Sequence, residues 1–246
     1  MCTLIAPWRI IQGYDIVIGM NRDESSQRPS DPPSLLPGDM PIVAPRDRKA
    51  GGTWVGANGA GIVVALSNRK GRASSTARSR GLLVLDALQR PTVAAVDVLL
   101  QREVREHAYN PWNLLAISRS EMRFFAFDGE VHPSRGHEGL NVLTNEGGNV
   151  EPDPKVQAVQ GLLANVPRAN IDGAIRSLQA TLRSHAASGL PAICVHASAG
   201  GTVSSTILAL SNGDLEGSVL LYAGGPPCST PYRDYGNVVR RLTGRA

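Results

Sequence analysis

Cys2 carries more potential chemistry than any other residue of this 246-residue chain. Methionine aminopeptidases remove an initiator methionine when the next residue is small, and loss of Met1 would leave a thiol and an α-amine on one residue. A free α-amine titrates near ~7.7–8.0, so it can take the thiol proton at neutral pH without a histidine. Nucleophile and base then come pre-positioned, and acyl transfer is the chemistry they support. A second-position cysteine taken alone equally resembles a small buried hydrophobe. The assignment therefore depends on its partners.

Asn21-Arg22-Asp23-Glu24 closes an apolar run one short hairpin away from Cys2. Alternation along a strand points Asn21 and Asp23 to one face and Arg22 and Glu24 to the other. A carboxylate at Asp23 would hold and orient the ammonium form of the terminal amine. Asn68 and Asn145 each follow an apolar run, Ala65-Leu66-Ser67 and Val142-Leu143-Thr144. Asparagine is disfavoured inside strands and common in turns, but its amide N–H is also a donor suited to a developing oxyanion. The expected catalytic set is Cys2, Asp23, Asn68 and Asn145, with Asn21, Arg22, Trp54 and Arg69 as substrate contacts.

Other groups are open to two readings. Arg69, Lys70, Arg72, Arg78 and Arg80 form a basic stretch with no acidic residue before Gly81. It reads as a solvated loop, or as a contact for phosphates or an acidic head group at the mouth of a site. His196 follows Ile193-Cys194-Val195 and reads as a histidine in an apolar strand, with haem or metal ligation as the alternative. His107, His132, His137 and His185 lack ligand spacing, Cys194 reads as core and Cys228 as a surface thiol. With three cysteines in no paired or zinc-like pattern, neither a disulfide framework nor a metal or other cofactor is expected.

Composition narrows the class. Hydrophobic content of 42% and charged content of 19% are ordinary for a globular protein. Aromatics at 4% leave the core to Val, Leu, Ile and Ala. A net charge of +4, without a recognised motif, falls short of a nucleic-acid binder. Apolar runs are too short to span a bilayer, and no leader is expected. A single cytoplasmic domain over residues 1–246 is expected, taking a small-molecule substrate or hydrophobic ligand, with the oligomeric state left open.

The elements that must position these groups are strands at Cys2–Trp8, Tyr14–Asn21 and Gly61–Asn68, with hairpin turns at Gln12-Gly13 and Asn58-Gly59. Five prolines between Arg28 and Pro41 predict an extended surface loop. Ser79 and Thr92 can cap two helices, the first stopped by Pro91. Strands return at Trp112–Ile117, Met122–Phe127 and Leu140–Thr144, and helices at Pro154–Val166 and Ile171–His185. The last strands are expected at Ala192–His196, Val203–Leu210 and Gly217–Ala223, followed by a loosely held Pro226–Pro231 and tail. Strand blocks alternating with helix pairs indicate an α+β layered fold.

Met1-Cys2, Asn21-Arg22-Asp23-Glu24, Arg28-Pro29, Arg46-Asp47, Gly51-Gly52-Thr53-Trp54-Val55-Gly56, Ser67-Asn68, Ser79-Arg80-Gly81 and Leu143-Thr144-Asn145 together resemble the NRDE family, whose eukaryotic members are the transport and Golgi organisation proteins. That family resembles the cysteine-type N-terminal-nucleophile hydrolases, among them bile-salt hydrolases and penicillin V acylases. The resemblance implies a four-layer αββα sandwich and hydrolysis of an amide or related acyl bond. Cys2 would be the nucleophile, Asp23 the partner of the terminal amine, and Asn68 and Asn145 the active-site asparagines. Met20 and Val203 stand where arginines are expected. The family's association with haem trafficking and with acyl-CoA and lipid homeostasis implies an alternative, a non-catalytic carrier using the same pocket.

Overall fold

The structure, a computed structural model, describes residues 2–187 and 189–243. Two paired strands open the chain, β1 (Thr3–Trp8) and β2 (Ile16–Glu24), followed by β3 (Ser30–Leu36), β4 (Ile42–Asp47), β5 (Val55–Asn58) and β6 (Val63–Asn68). Helices α1 (Arg80–Leu88) and α2 (Val93–Glu106) precede β7 (Trp112–Ile117), β8 (Met122–Phe127), β9 (Val131–Arg135) and β10 (Gly139–Leu143). Then come α3 (Pro154–Leu162), α4 (Ile171–Leu182), β11 (His196–Ala197), β12 (Gly200–Leu210), β13 (Val219–Ala223), β14 (Arg233–Asp234) and α5 (Gly236–Arg240). No helix among the described residues is long and apolar enough to cross a membrane.

One sheet runs β10-β1-β2-β12-β13-β14, with β11 paired to β12. The other is a meander from β3 to β9 in chain order. Alternation explains why they stack. Leu4, Ile18 and Met20 face one way and meet Val55, Val63, Leu115 and Phe124 of the second sheet. Ile5, Val17 and Ile207 face the other way, under Val156, Val159, Leu178 and Leu182 of α3 and α4. On the far side, Leu83, Leu88, Val96 and Leu100 of α1 and α2 cover Val64, Leu66 and Leu114. Three apolar seams thus separate four layers, an α+β αββα sandwich, and strands buried on both faces read as nearly continuous apolar runs.

Caps and close approaches set the helices. Ser79 accepts from the Gly81 amide at the start of α1, and Thr92 from the Ala95 amide at the start of α2. Gly52 lies so close to Gly81 that a Cβ on it would come 2.2 Å from the Gly81 carbonyl carbon. This contact brings Arg80 and Trp54 to the same end of the sandwich.

Several expectations need correction. The proline-rich 28–41 segment is not only a loop: it contains β3, which pairs with β4 alone at the sheet edge. Its register shifts between Asp31 and Ser34, so Pro32 and Pro33 fall in a bulge, where a missing N–H costs no ladder bond. Residues 192–195 form no strand, because the Ile193 and Cys194 amides both donate to the Ser184 carbonyl and fold the segment onto the end of α4. His196 is exposed rather than core. The described part of the tail is not loosely held: Val239 and Leu242 are buried in the seam between the sheets. Residues 244–246 of the basic tail lie outside the described residues.

Candidate active site

β1 and β2 pair with Thr3 opposite Asn21, which brings Cys2 beside Arg22. The Cys2 side chain belongs to the seam between the sheets, only 7% exposed. Its Sγ lies 3.9 Å from the Asp23 carbonyl oxygen. Burial pushes its thiol above the ordinary value, the Asp23 charge adds to that, and Arg22 pulls the other way. Met1, whose removal the N-terminal chemistry requires, lies outside the described residues.

Asp23 is on the opposite face of β2 from Arg22 and is 6% exposed. The Thr202 hydroxyl donates to its Oδ1 at 2.6 Å, and Lys155 Nζ lies 3.9 Å from Oδ2. Lys155 also donates to the Thr3 hydroxyl at 3.0 Å, so helix α3 is tied to the same corner. Burial pushes the Asp23 carboxyl above its usual range, while Thr202 and Lys155 pull it back.

Arg22 is 5% exposed and stacks on Trp54, its Cζ 4.2 Å from the ring centroid. One guanidinium nitrogen lies 3.5 Å from Asp47, while Nη1 has no hydrogen-bond partner among the described residues. Asp47 is held mainly by Arg28, whose Nη2 donates to it at 2.6 Å and whose Nη1 donates to Glu24 at 2.9 Å. Burial alone would raise the Asp47 carboxyl, but the Arg28 hydrogen bonds bring it below its ordinary value. Arg80 has its guanidinium on the Pro111 carbonyl at 2.9 Å. Burial and the Arg28 charge both lower its affinity for the proton.

These groups enclose a cavity of about 260 Å³ that is bordered by Cys2, Arg22, Asp23, Trp54, Asn68 and Arg80. Arg78 joins them, but Arg69, Lys70 and Arg72 do not, so the basic stretch is divided. Arg78 is engaged by Glu103, Tyr109 and Asp86. A larger cavity of about 990 Å³ lies at the other end of the sandwich, against Ile16 and Leu210, and no cysteine or histidine borders it.

The other expected residues fall differently. Asn145 does not border the cavity; its side-chain amide donates to the Asn68 carbonyl, so it reaches the site through Asn68. Two expected substrate contacts, Asn21 and Arg69, do not border the cavity. Asn21 is fully buried on the helix-facing side of β2, donating to the carbonyls of Leu182 at 2.8 Å and Ile193 at 3.0 Å. Arg69 is drawn away by Asn113, the Glu146 carbonyl and Asp128. Residues missed from the sequence are Thr202, Lys155 and Asn113, the last donating to the carbonyls of Thr144 and Asn145 and so locking the two sheets together. Thr202 directly precedes Val203, which was read only for its absent arginine; Lys155 and Asn113 left no local signal.

Comparison with known proteins agrees with this fold. A mouse "Transport and Golgi organization 2 homolog" is 30% identical over 141 residues, 54% of this chain and 51% of that protein. A human homologue is 31% identical over 147 residues, 58% of this chain and 47% of that protein. The chain thus spans about half the length of the curated relatives it matches. Among solved structures, a Caenorhabditis elegans N-acylethanolamine-hydrolyzing acid amidase ortholog superposes with a TM-score of 0.60 at 14% identity, covering 98% of this chain and 97% of the other. Penicillin V acylase from Agrobacterium tumefaciens gives 0.57 at 11% identity over 91% and 83%. A conjugated bile acid hydrolase from Clostridium perfringens gives 0.56 at 12% over 100% and 95%. The fold is that of the N-terminal-nucleophile hydrolases, and with the Transport and Golgi organisation 2 family model matching residues 1–216, the chain belongs to that family.

Proposed function

We propose that this protein is a cysteine N-terminal-nucleophile hydrolase that cleaves an amide or related acyl bond once Met1 has been removed. The observation that carries the reading is the meeting of the Cys2 thiol, the Asp23–Thr202 pair and an Arg22 Nη1 without a hydrogen-bond partner among the described residues, at one small polar cavity. The relatives of this fold named above act, by their names, on N-acylethanolamines, penicillin V and conjugated bile acids.

The chemistry follows from the positions. The free α-amine of Cys2 takes the thiol proton, and Asp23 accepts hydrogen bonds from the resulting ammonium. The thiolate attacks the substrate carbonyl, and the developing oxyanion accepts from the Asn68 amide and a backbone N–H. Asn145 acts as a positioning residue by holding the Asn68 backbone. The ammonium returns its proton to the leaving amine as the carbon–nitrogen bond breaks. Water then adds to the thioester, the α-amine accepts its proton, and the acid is released with the thiol restored. Arg22 and Arg80 give the substrate's polar or anionic end two cationic contacts. A cytoplasmic setting suits three cysteines that are all free thiols.

Intact-mass measurement of the purified protein should show Met1 absent, and an electrophilic acyl-amide probe should label Cys2. Cys2→Ala should lower hydrolysis by more than about a thousandfold, in line with loss of a nucleophile. Active protein that retains Met1, or a Cys2→Ala variant that hydrolyses normally, would overturn the mechanism. The haem-carrier alternative through His196 draws no support from this cavity, which His196 does not border.

A further inference from the structure

His185, Cys194, His196 and Cys228 are scattered over 44 residues, yet the fold gathers them at one surface point. His185 follows the end of α4, Cys194 and His196 lead into β12, and Cys228 comes from the loop after β13. His196 Nε2 lies 3.3 Å from Cys228 Sγ and 3.8 Å from Cys194 Sγ. The ligand atoms of His185, Cys194 and His196 all lie within 4.8 Å of one another. The two imidazoles lie with centroids 5.2 Å apart and their planes tilted by 35°. We propose that these four side chains form a structural site for a thiophilic transition-metal ion, with zinc as the best fit.

The distances agree with that chemistry. Zinc takes sulfur at ~2.3 Å and imidazole nitrogen at ~2.0–2.1 Å in a tetrahedron, which sets neighbouring sulfur and nitrogen donors about 3.5 Å apart. The two sulfur–nitrogen distances here bracket that spacing. Two thiolates with two imidazoles are a soft, closed donor set, and hard cations such as magnesium or calcium would find no oxygen ligand in it. Binding is a proton exchange: one M²⁺ replaces the protons of the two cysteine thiols, which pass to solvent, and no oxidation is involved. Affinity falls as the pH is lowered.

The ion would join three segments of the chain. Arg183 donates to the Pro227 carbonyl at 3.0 Å, and the Ile193 and Cys194 amides donate to Ser184. Between the two central ligands, the Val195 amide donates to the Thr202 hydroxyl at 2.9 Å, and that hydroxyl donates to Asp23. The site therefore lies two hydrogen bonds from the candidate active-site carboxylate and stiffens the backbone that positions it.

Metal-free full-length protein, kept reduced, is titrated with Co²⁺ and followed by absorption. One equivalent should produce the intense visible bands of tetrahedral cobalt together with thiolate charge transfer, and Zn²⁺ should displace it. Cys228→Ser and His196→Asn, both at exposed positions, should each weaken binding by more than about tenfold. Cys2→Ala should bind as the unmodified protein does, which separates this site from the nucleophile whatever the outcome of the hydrolase tests. Octahedral-type weak bands, unchanged affinity in Cys228→Ser, or a thiol count showing that Cys194 and Cys228 form a disulfide in freshly reduced protein would each overturn the proposal.

Discussion

Asp23 is the residue at which stability and function pull apart. Its carboxyl is buried, and its proton affinity in the fold is above the ordinary value of 3.8. A raised carboxylate means that the native state binds more protons than the unfolded chain between 3.8 and the native value. Stability therefore falls as pH rises through that window and the penalty is constant above it. Asp23→Asn removes the ionisation while keeping the shape and the acceptor for Thr202. Its melting temperature relative to the natural protein should rise from acid to neutral pH and then level off, while hydrolysis is lost. Thermal melts at a series of pH values check this; an advantage that shrinks toward neutral pH would show that the charged form is the stabilised one. The sequence marked Asp23 because it sits two residues past a strand-like run opposite Cys2. It did not mark Thr202 or Lys155, because their approach depends on β12 and α3 packing against that corner, which no local pattern encodes.

At the scale of elements, legibility followed the strength of local signals. Period-two strands with turn residues between them and helices with Ser or Thr caps stood out, since each is specified by residues within a few positions. Segments that take their shape from distant partners did not. The proline-bearing β3 is a strand only because β4 offers an edge and a bulge absorbs Pro32 and Pro33. Residues 192–195 looked like an apolar strand but cover the end of α4. Asn58 shows both kinds of information. Its pairing with Gly59 announced a hairpin, yet its fully buried amide also donates to the carbonyls of Leu88 at 2.7 Å and Arg90 at 2.9 Å, closing the end of α1. Its Oδ1 accepts from the Ala60 and Ile62 amides. Asn58→Ala should therefore cost about 1–3 kcal/mol beyond the turn preference, because those backbone groups lose buried partners. Urea denaturation gives the value, and a cost within about 0.5 kcal/mol, as for a surface turn, would show that the α1 closure contributes nothing.

For the molecule as a whole, the candidate site is a product of stacking two sheets. Cys2, Arg22 and Asp23 come from the first sheet and the residue before it, while Asn68 ends β6 of the second and Trp54 immediately precedes its β5. Ser67 and Asn113 fasten this end by donating to the Thr144 carbonyl at 2.6 and 3.1 Å. The opposite end is closed differently, by the C-terminal segment, whose Val239 and Leu242 are almost fully buried between the sheets. A basic, polar tail gave no sign of this in sequence, since two apolar residues in a short helix carry little periodicity. The two ends should accordingly be separable. Leu242→Ala removes a buried side chain from the seam and should destabilise the fold by about 2–5 kcal/mol. Because polar bonds hold the Cys2 end, the rate at which an electrophilic probe labels Cys2 should stay within about twofold of the natural protein under conditions where the variant remains folded. A labelling rate that changed in proportion to the lost stability would instead show that the seam opens as one unit, with the tail helping to hold the active-site end in register.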